Sequence, residues 1–339
     1  MKTVQVTGPG TVEWVEIDQP TAGPNDVLLA MKATGICGSD AMYTMMGGVP
    51  PHQGCTILGH EPAAEVAEVG ANVEGIAVGD HVVIDTMTFE DGLLGSGGAQ
   101  GGMAPFVVVK NAKLGVQLQK ISSDVPWDVA ALNEPMAVAM HGVNVSEPTP
   151  ADKVVIFGAG PIGLGALLGF KSKGVASVVL VDVLDERLAT AQEIGADAII
   201  NGYTEDVAAR LIEIHGEGPA GIIPGQVKPD TDIYYDAAGA AAVLHTTFAA
   251  AKRRARLTIV ASYTDTVEVP VGPLLTTELQ WRWAVGYPTE IFEVTKDIEA
   301  NWEKYQRIIS HRFPFDDALE ALTVASTPGA ADKVTIVFE

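Results

Sequence analysis

Between Lys153 and Asp182 the chain reads KVVIFGAGPIGLGALLGFKSKGVASVVLVD, an order of residues that few folds accommodate. An apolar, β-leaning run at 154–157 stops at Gly158, and glycines recur at Gly160 and Gly163. A small-residue helical stretch follows, and a second apolar run at 178–181 ends on Asp182. Strand, glycine turn, helix, strand and acid form the unit that holds a dinucleotide. Gly158 permits the tight turn, Gly160 lets the main chain approach a pyrophosphate, and Gly163 lets helix and strand pack closely. Pro161 and Ile162 open the helix, whose first N–H groups and dipole favour phosphate. Asp182 is placed to accept hydrogen bonds from ribose hydroxyls and to repel a 2′-phosphate, so NAD(H) is expected over NADP. Glycine-rich turns and methyltransferases share the bare GxGxxG, so the turn alone names no reaction.

Beyond this unit, helical patterns at 186–193, 206–215 and 241–251 alternate with strand patterns at 198–200, 233–235 and 257–261. Such alternation predicts an α/β domain with a doubly wound parallel sheet, expected over 148–287 from the break Pro148-Thr149-Pro150 onward. Residues 216–229 exceed a normal connection and read as a surface insertion. Before the break the character differs. Short strands are expected at 3–7, 12–17, 27–34, 63–69, 81–84 and 106–109, and a helix at 130–145. Residues 37–48 and 86–105 are glycine-punctuated and read as irregular. This spacing predicts a β-rich, partly open barrel-like domain over 1–147, rejoined by 288–339 through a helix at 291–309 and a closing strand at 333–338.

Composition narrows the partners. Lys plus Arg number 21 against 43 Asp plus Glu, a formal charge of −22, which argues against nucleic acid or an anionic membrane. Phosphate must therefore be held by local N–H groups. The N-terminus alternates like a strand and lacks the apolar core of a signal peptide. No apolar run reaches the ~18 residues of a membrane span. A cytoplasmic protein is expected, with small molecules as its partners.

Upstream of the glycine turn lie GICGSD (35–40), LGHEPAAEVAEVG (58–70), VGDHVV (78–83) and NEPMAVAMHG (133–142), and HRFPFDDALEAL (311–322) lies after it. With these motifs in this order the sequence resembles the zinc-dependent, medium-chain alcohol dehydrogenase family, in its polyol and threonine dehydrogenase-like branch. The resemblance implies a Rossmann domain beside a GroES-like catalytic domain, and a homo-oligomer, dimer or tetramer. It implies one catalytic zinc per chain on Cys37 and His60, with Glu61 or Glu134 as the third protein ligand. Soft thiolate, imidazole and carboxylate are the donors zinc favours, and a catalytic site keeps one position open. By the same resemblance Asp40 orients His60, Ser39 takes the proton of the alcohol, and Arg187 lies near the adenosine ribose. The implied reaction is oxidation of a secondary alcohol or polyol to the ketone by hydride transfer to NAD. Reduction of a hydrophobic or cyclic ketone, and a non-catalytic nucleotide-binding protein, are the alternatives.

Departures from the family are informative. Met42 stands where many relatives carry a relay histidine, leaving His52 as a possible substitute, and Ala64 stands where the GHE motif usually has glycine. Residues 84–115 contain no cysteine, so no structural zinc is expected. Cys55 and the histidines His81, His141, His215, His245 and His311 read as structural. The basic run Lys252-Arg253-Arg254-Ala255-Arg256 reads as a solvated turn. Trp281 and Trp283 are expected on the last strand of the sheet. Met42, Met45, Met46 and Phe89 are expected near the site, where they keep a hydrophobic substrate open.

Overall fold

The computed structural model describes residues 1–219, 227–327 and 329–339, which divide into two compact units. One comprises Met1–Glu134 with Ile291–Glu339, the other Pro135–Glu290. The first opens with β1 (Lys2–Gly8), β2 (Thr11–Glu16) and β3 (Val27–Gly35), then α1 (Gly38–Met46), β4 (Thr56–Ile57) and β5 (Glu61–Val69). It continues with β6 (His81–Ile84), β7 (Phe106–Val109), β8 (Leu118–Lys120) and the short α2 (Trp127–Ala130), and α3 (Asn133–Val145) begins at its end and runs into the second unit. Strands β2, β1 and β4 form a small sheet, and β3, β5, β6 and β8 follow one another in a larger one, with β7 also on β3.

The reading of 37–48 as irregular is corrected. Gly38 looked like a breaker, but it stands at the first helical position of α1. Cys37 and Asp40 close a reciprocal capping box at that end, and Gly47 ends the helix with φ 74°.

The second unit carries β9 (Lys153–Phe157), α4 (Pro161–Ser172), β10 (Ser177–Asp182), α5 (Asp185–Ile194), β11 (Ala198–Asn201) and α6 (Val207–His215). A short antiparallel pair, β12 (Glu217–Pro219) and β13 (Val227–Pro229), occupies the expected insertion, whose residues 220–226 lie outside the described residues. Next come β14 (Ile233–Asp236), α7 (Ala241–Ala250), β15 (Arg256–Ile259), α8 (Val271–Thr277) and β16 (Gln280–Trp283). The sheet order β11-β10-β9-β14-β15-β16 is parallel throughout. Its chain order reverses between β9 and β14, the switch point at which such sheets bind ligands. Val154, Val155 and Ile156 are fully buried there, as the continuous apolar run requires.

The chain then returns to the first unit with α9 (Glu293–Gln306), β17 (His311–Pro314), α10 (Ala318–Ser326) and β18 (Val334–Val337). β18 pairs antiparallel with β3. Phe89, expected near the site, packs in the core of this unit together with Ile36 and Leu58.

The basic run is less solvated than expected. Lys252 pairs with Asp230 and Asp232, Arg253 and Arg254 with Glu278, and Arg256 with Asp152. Beside it, His215 is buried with Nδ1 2.8 Å from Thr231 Oγ1. Burial, and then Lys153, pull its pKa down to about 4. Unfolded, this imidazole takes its proton near 6.5, so between those values the unfolded chain binds more protons. Its contribution is complete above about pH 6.5 and is lost as pH falls toward 4, at most roughly 3 kcal/mol. Melting curves across this window should show His215→Gln losing less stability than the parent on acidification. Equal losses would contradict the assignment.

Candidate functional site

Among the described residues, Cys37, His60 and Glu61 place one ligand atom each within 4.8 Å of one another. Two elements bring them together: Cys37 caps α1, while His60 and Glu61 enter β5. Asp40, fully buried on the first turn of α1, accepts from the Cys37 N–H at 2.9 Å through Oδ2. Its Oδ1 lies 3.5 Å from His60 Nδ1. Apart from this approach the two atoms are buried without a hydrogen bond. Burial lowers the pKa of His60, but the Asp40 charge, and after it Cys37, raise it well above the usual imidazole value. With Nδ1 turned to Asp40, the nitrogen left for a metal is Nε2, and Ser39 Oγ lies 3.2 Å from it.

Glu61 has a partner the sequence did not disclose. Lys333, just before β18, donates to a Glu61 oxygen and to Ile36 O at 3.1 Å. Both side chains of the ion pair are almost wholly buried. Gly35, paired with Glu61 across β3 and β5, makes this possible, because a Cβ there would fall 1.9 Å from Glu61 Oε2. Burial alone would lower the pKa of the Lys333 ammonium, but Glu61 and Cys37 raise it. The only sequence signal was a lone lysine entering an apolar strand.

Glu134 stands outside the trio, yet its carboxyl feels all of these groups. Burial, with Glu61 and Asp40 adding to it, pushes its pKa up to about 8 against the pull of His60 and Lys333. Met42 is exposed on α1, as are Met45 and Met46. His52 does not approach Ser39 by any hydrogen bond: its Nδ1 is 2.8 Å from Gly97 O. Cys55 is exposed and belongs to no ligand group among the described residues.

In the second unit the glycine turn and Asp182 line one groove, together with Arg187, Gly202 and the turn 237–240. Gly158 adopts φ 94°, and a Cβ on Gly163 would lie 1.7 Å from Gly158 O, so neither position admits a side chain. Gly160 caps α4, with Pro161 at its first position and Ile162 next, and a Cβ on Gly160 would meet nothing within 4 Å. Free first-turn N–H groups with open space before them fit a pyrophosphate. Asp182 accepts from Ala159 N at 2.7 Å, from Val183 N at 2.7 Å and from Leu184 N at 3.0 Å. A carboxylate so fixed keeps further lone pairs for hydroxyl donors.

A second acid holds the far wall. Asp236, fully buried, accepts from Ala238 N and Gly239 N at 3.0 Å each and from Tyr263 OH at 2.5 Å. Sequence reasoning passed over both Asp236 and Tyr263.

Residues 23–120 match the family described as alcohol dehydrogenase GroES-like domain, and residues 161–300 match the zinc-binding dehydrogenase family. The chain is similar to sorbitol dehydrogenase of Bos taurus, 29% identical over 98% of this chain and 94% of that protein. Its fold is similar to that of 2R,3R-butanediol dehydrogenase from Bacillus subtilis, with TM-score 0.84, 26% identity and 99% of each chain covered. An alcohol dehydrogenase from Escherichia coli CFT073, complexed with NADH, matches with TM-score 0.83 and 25% identity over 100% of this chain and 99% of that one.

Proposed function

Since this chain belongs to the zinc-dependent medium-chain alcohol dehydrogenase family, we propose that it oxidises a secondary alcohol or polyol to the ketone with NAD as hydride acceptor. The observation that carries this reading is the convergence of Cys37, His60 and Glu61 within 4.8 Å beside the Ser39 hydroxyl. A bound zinc would supply Lewis acidity that lowers the pKa of an alcohol, and a bound nicotinamide would supply the hydride acceptor. Cys37 offers a thiolate and His60 its Nε2, while Asp40 fixes the ring. The third protein ligand is Glu61 or Glu134. Lys333 draws Glu61 one way, and the raised pKa of Glu134 marks a carboxyl that a nearby cation would ionise.

Ser39 Oγ is positioned to accept the alcohol proton. Met42 cannot shuttle a proton, so a path onward from Ser39 would use water, the ribose hydroxyls of a bound cofactor or another residue. In the second unit, Asp182 selects NAD over NADP by accepting from the ribose, with Arg187 beside it. The absence of cysteine from 84–115 supports one zinc per chain. β16 ends the sheet, and Trp283 on it and Val285 just after it are largely exposed, an apolar surface at an open edge that supports a homo-oligomer, dimer or tetramer. No described helix is long and apolar enough to cross a membrane, and the cytoplasm is the proposed compartment.

Exposed Met42, Met45 and Met46 on α1 favour a second reading of the substrate, a hydrophobic or cyclic alcohol or ketone. One experiment addresses both. Protein purified without added zinc is assayed for metal, and NADH formation is followed with 2R,3R-butanediol, sorbitol and a cyclic secondary alcohol. About one zinc per chain and turnover with NAD exceeding that with NADP are expected. A metal-free, inactive protein would refute the reading, and a preference for NADP would refute the role of Asp182.

A further inference from the structure

Residues 86–105 form no regular strand or helix, yet their glycines pack directly on the peptide that delivers His60. A Cβ on Gly95 would lie 2.2 Å from Gly59 O and 2.6 Å from His60 N, and one on Gly101 would lie 2.4 Å from Leu58 O. Gly102 N donates to Gly59 O at 2.6 Å and Met103 N to Leu58 O at 2.9 Å. These contacts are main chain against main chain, so no side-chain rotation can relax them.

The same loop reaches the segment that carries Cys37. Tyr43 OH on α1 donates to Ser96 Oγ at 3.4 Å. His52 Nδ1 approaches Gly97 O at 2.8 Å, and a Cβ on Gly97 would meet Val49 at 2.7 Å. One loop therefore touches both chain segments of the trio.

Gln100 closes it. Its Oε1 accepts from Val108 N at 2.9 Å. Its Nε2 donates to Val108 O at 2.9 Å and to Asp91 Oδ2 at 3.2 Å. Its own carbonyl accepts from Gly95 N at 2.8 Å. The amide thus pairs with β7 as a neighbouring strand would.

We propose that residues 92–102 are a strut that presets the separation of Cys37 and His60 before metal arrives, with Gln100 as its positioning residue. The proposal rests on reading Cys37 and His60 as zinc ligands. Ligands held in place in the folded protein need little ordering when the ion binds, which raises affinity. Groups that support ligands without touching the ion typically change affinity ~10–100-fold.

The test is Gln100→Met, which keeps length and removes all three side-chain hydrogen bonds. Zinc affinity is measured by competition with a chelator, the Co(II) form is examined for its d–d and thiolate charge-transfer bands, and NADH binding is followed by fluorescence. The variant is expected to bind zinc ~10–100-fold more weakly, with shifted Co(II) bands and unchanged NADH affinity. His52→Phe, which releases the loop from the other side, should weaken zinc binding in the same direction and serves if Gln100→Met does not fold. Parental zinc affinity and Co(II) spectra in the folded variants, even with a lowered melting temperature, would overturn the strut. Cys37→Ala is run in parallel: parental zinc affinity in that variant would show instead that the ligand assignment had failed.

Discussion

Cys37→Ala is expected to lower kcat/KM by about a thousandfold or more, because removing a ligand forfeits several kcal/mol of charge stabilisation and each 1.36 kcal/mol is tenfold. The substitution leaves the fold its main supports. Asp40 still accepts from the N–H of residue 37, and the Gly47 cap at the far end of α1 is untouched. NADH affinity should therefore be retained, since the groove of Gly158, Gly160 and Asp182 lies in the other unit. Zinc content, steady-state kinetics and NADH fluorescence on one preparation decide the matter. Retained turnover, or loss of NADH binding together with turnover, would each contradict it.

The second large effect concerns stability. Lys333→Met removes the cation from a carboxylate that is itself about 1% exposed, leaving Glu61 buried without its ion-pair partner. Breaking a buried pair from one side costs about 3–5 kcal/mol, far more than the pair contributes over an apolar replacement. Combining Lys333→Met with Glu61→Gln removes the stranded charge and should recover most of that loss. Urea denaturation of the parent, the single and the double variant forms the comparison. A loss under about 1 kcal/mol in the single variant would show that the pair is not a closed, dry contact.

The nucleotide-binding unit was largely legible because its signals are local. The run at 154–157, the spacing of Gly158, Gly160 and Gly163, and the acid at 182 each act within one strand–helix–strand unit, and its neighbours repeat that alternation. Helix α1 was misread for an equally local reason. Gly38 weighed as a breaker, whereas the helix is closed by Asp40 accepting from the Cys37 N–H, and cysteine is seldom counted among capping residues. Motif resemblance supplied Cys37, His60, Glu61 and Asp40, and their convergence joins an α1 cap to a strand start. Lys333 and Gln100 were not legible, for different reasons. Lys333 meets a partner 272 positions away, and Gln100 presents an ordinary amide whose role emerges only against the backbone of Val108.

The position of β18 has a consequence for how the protein is made. This strand lies along β3 and is preceded directly by the cation of Glu61, so the larger sheet of the first unit and its buried charge pair are completed only after residues 135–290 have been made. Residues 135–290 contain their whole parallel sheet and emerge earlier, so they can fold while the chain still grows. During that interval β3 lacks β18, and a buried-to-be carboxylate waits for its counter-ion. Residues 135–290 can therefore fold before the first unit gains β18 and Glu61 its counter-ion.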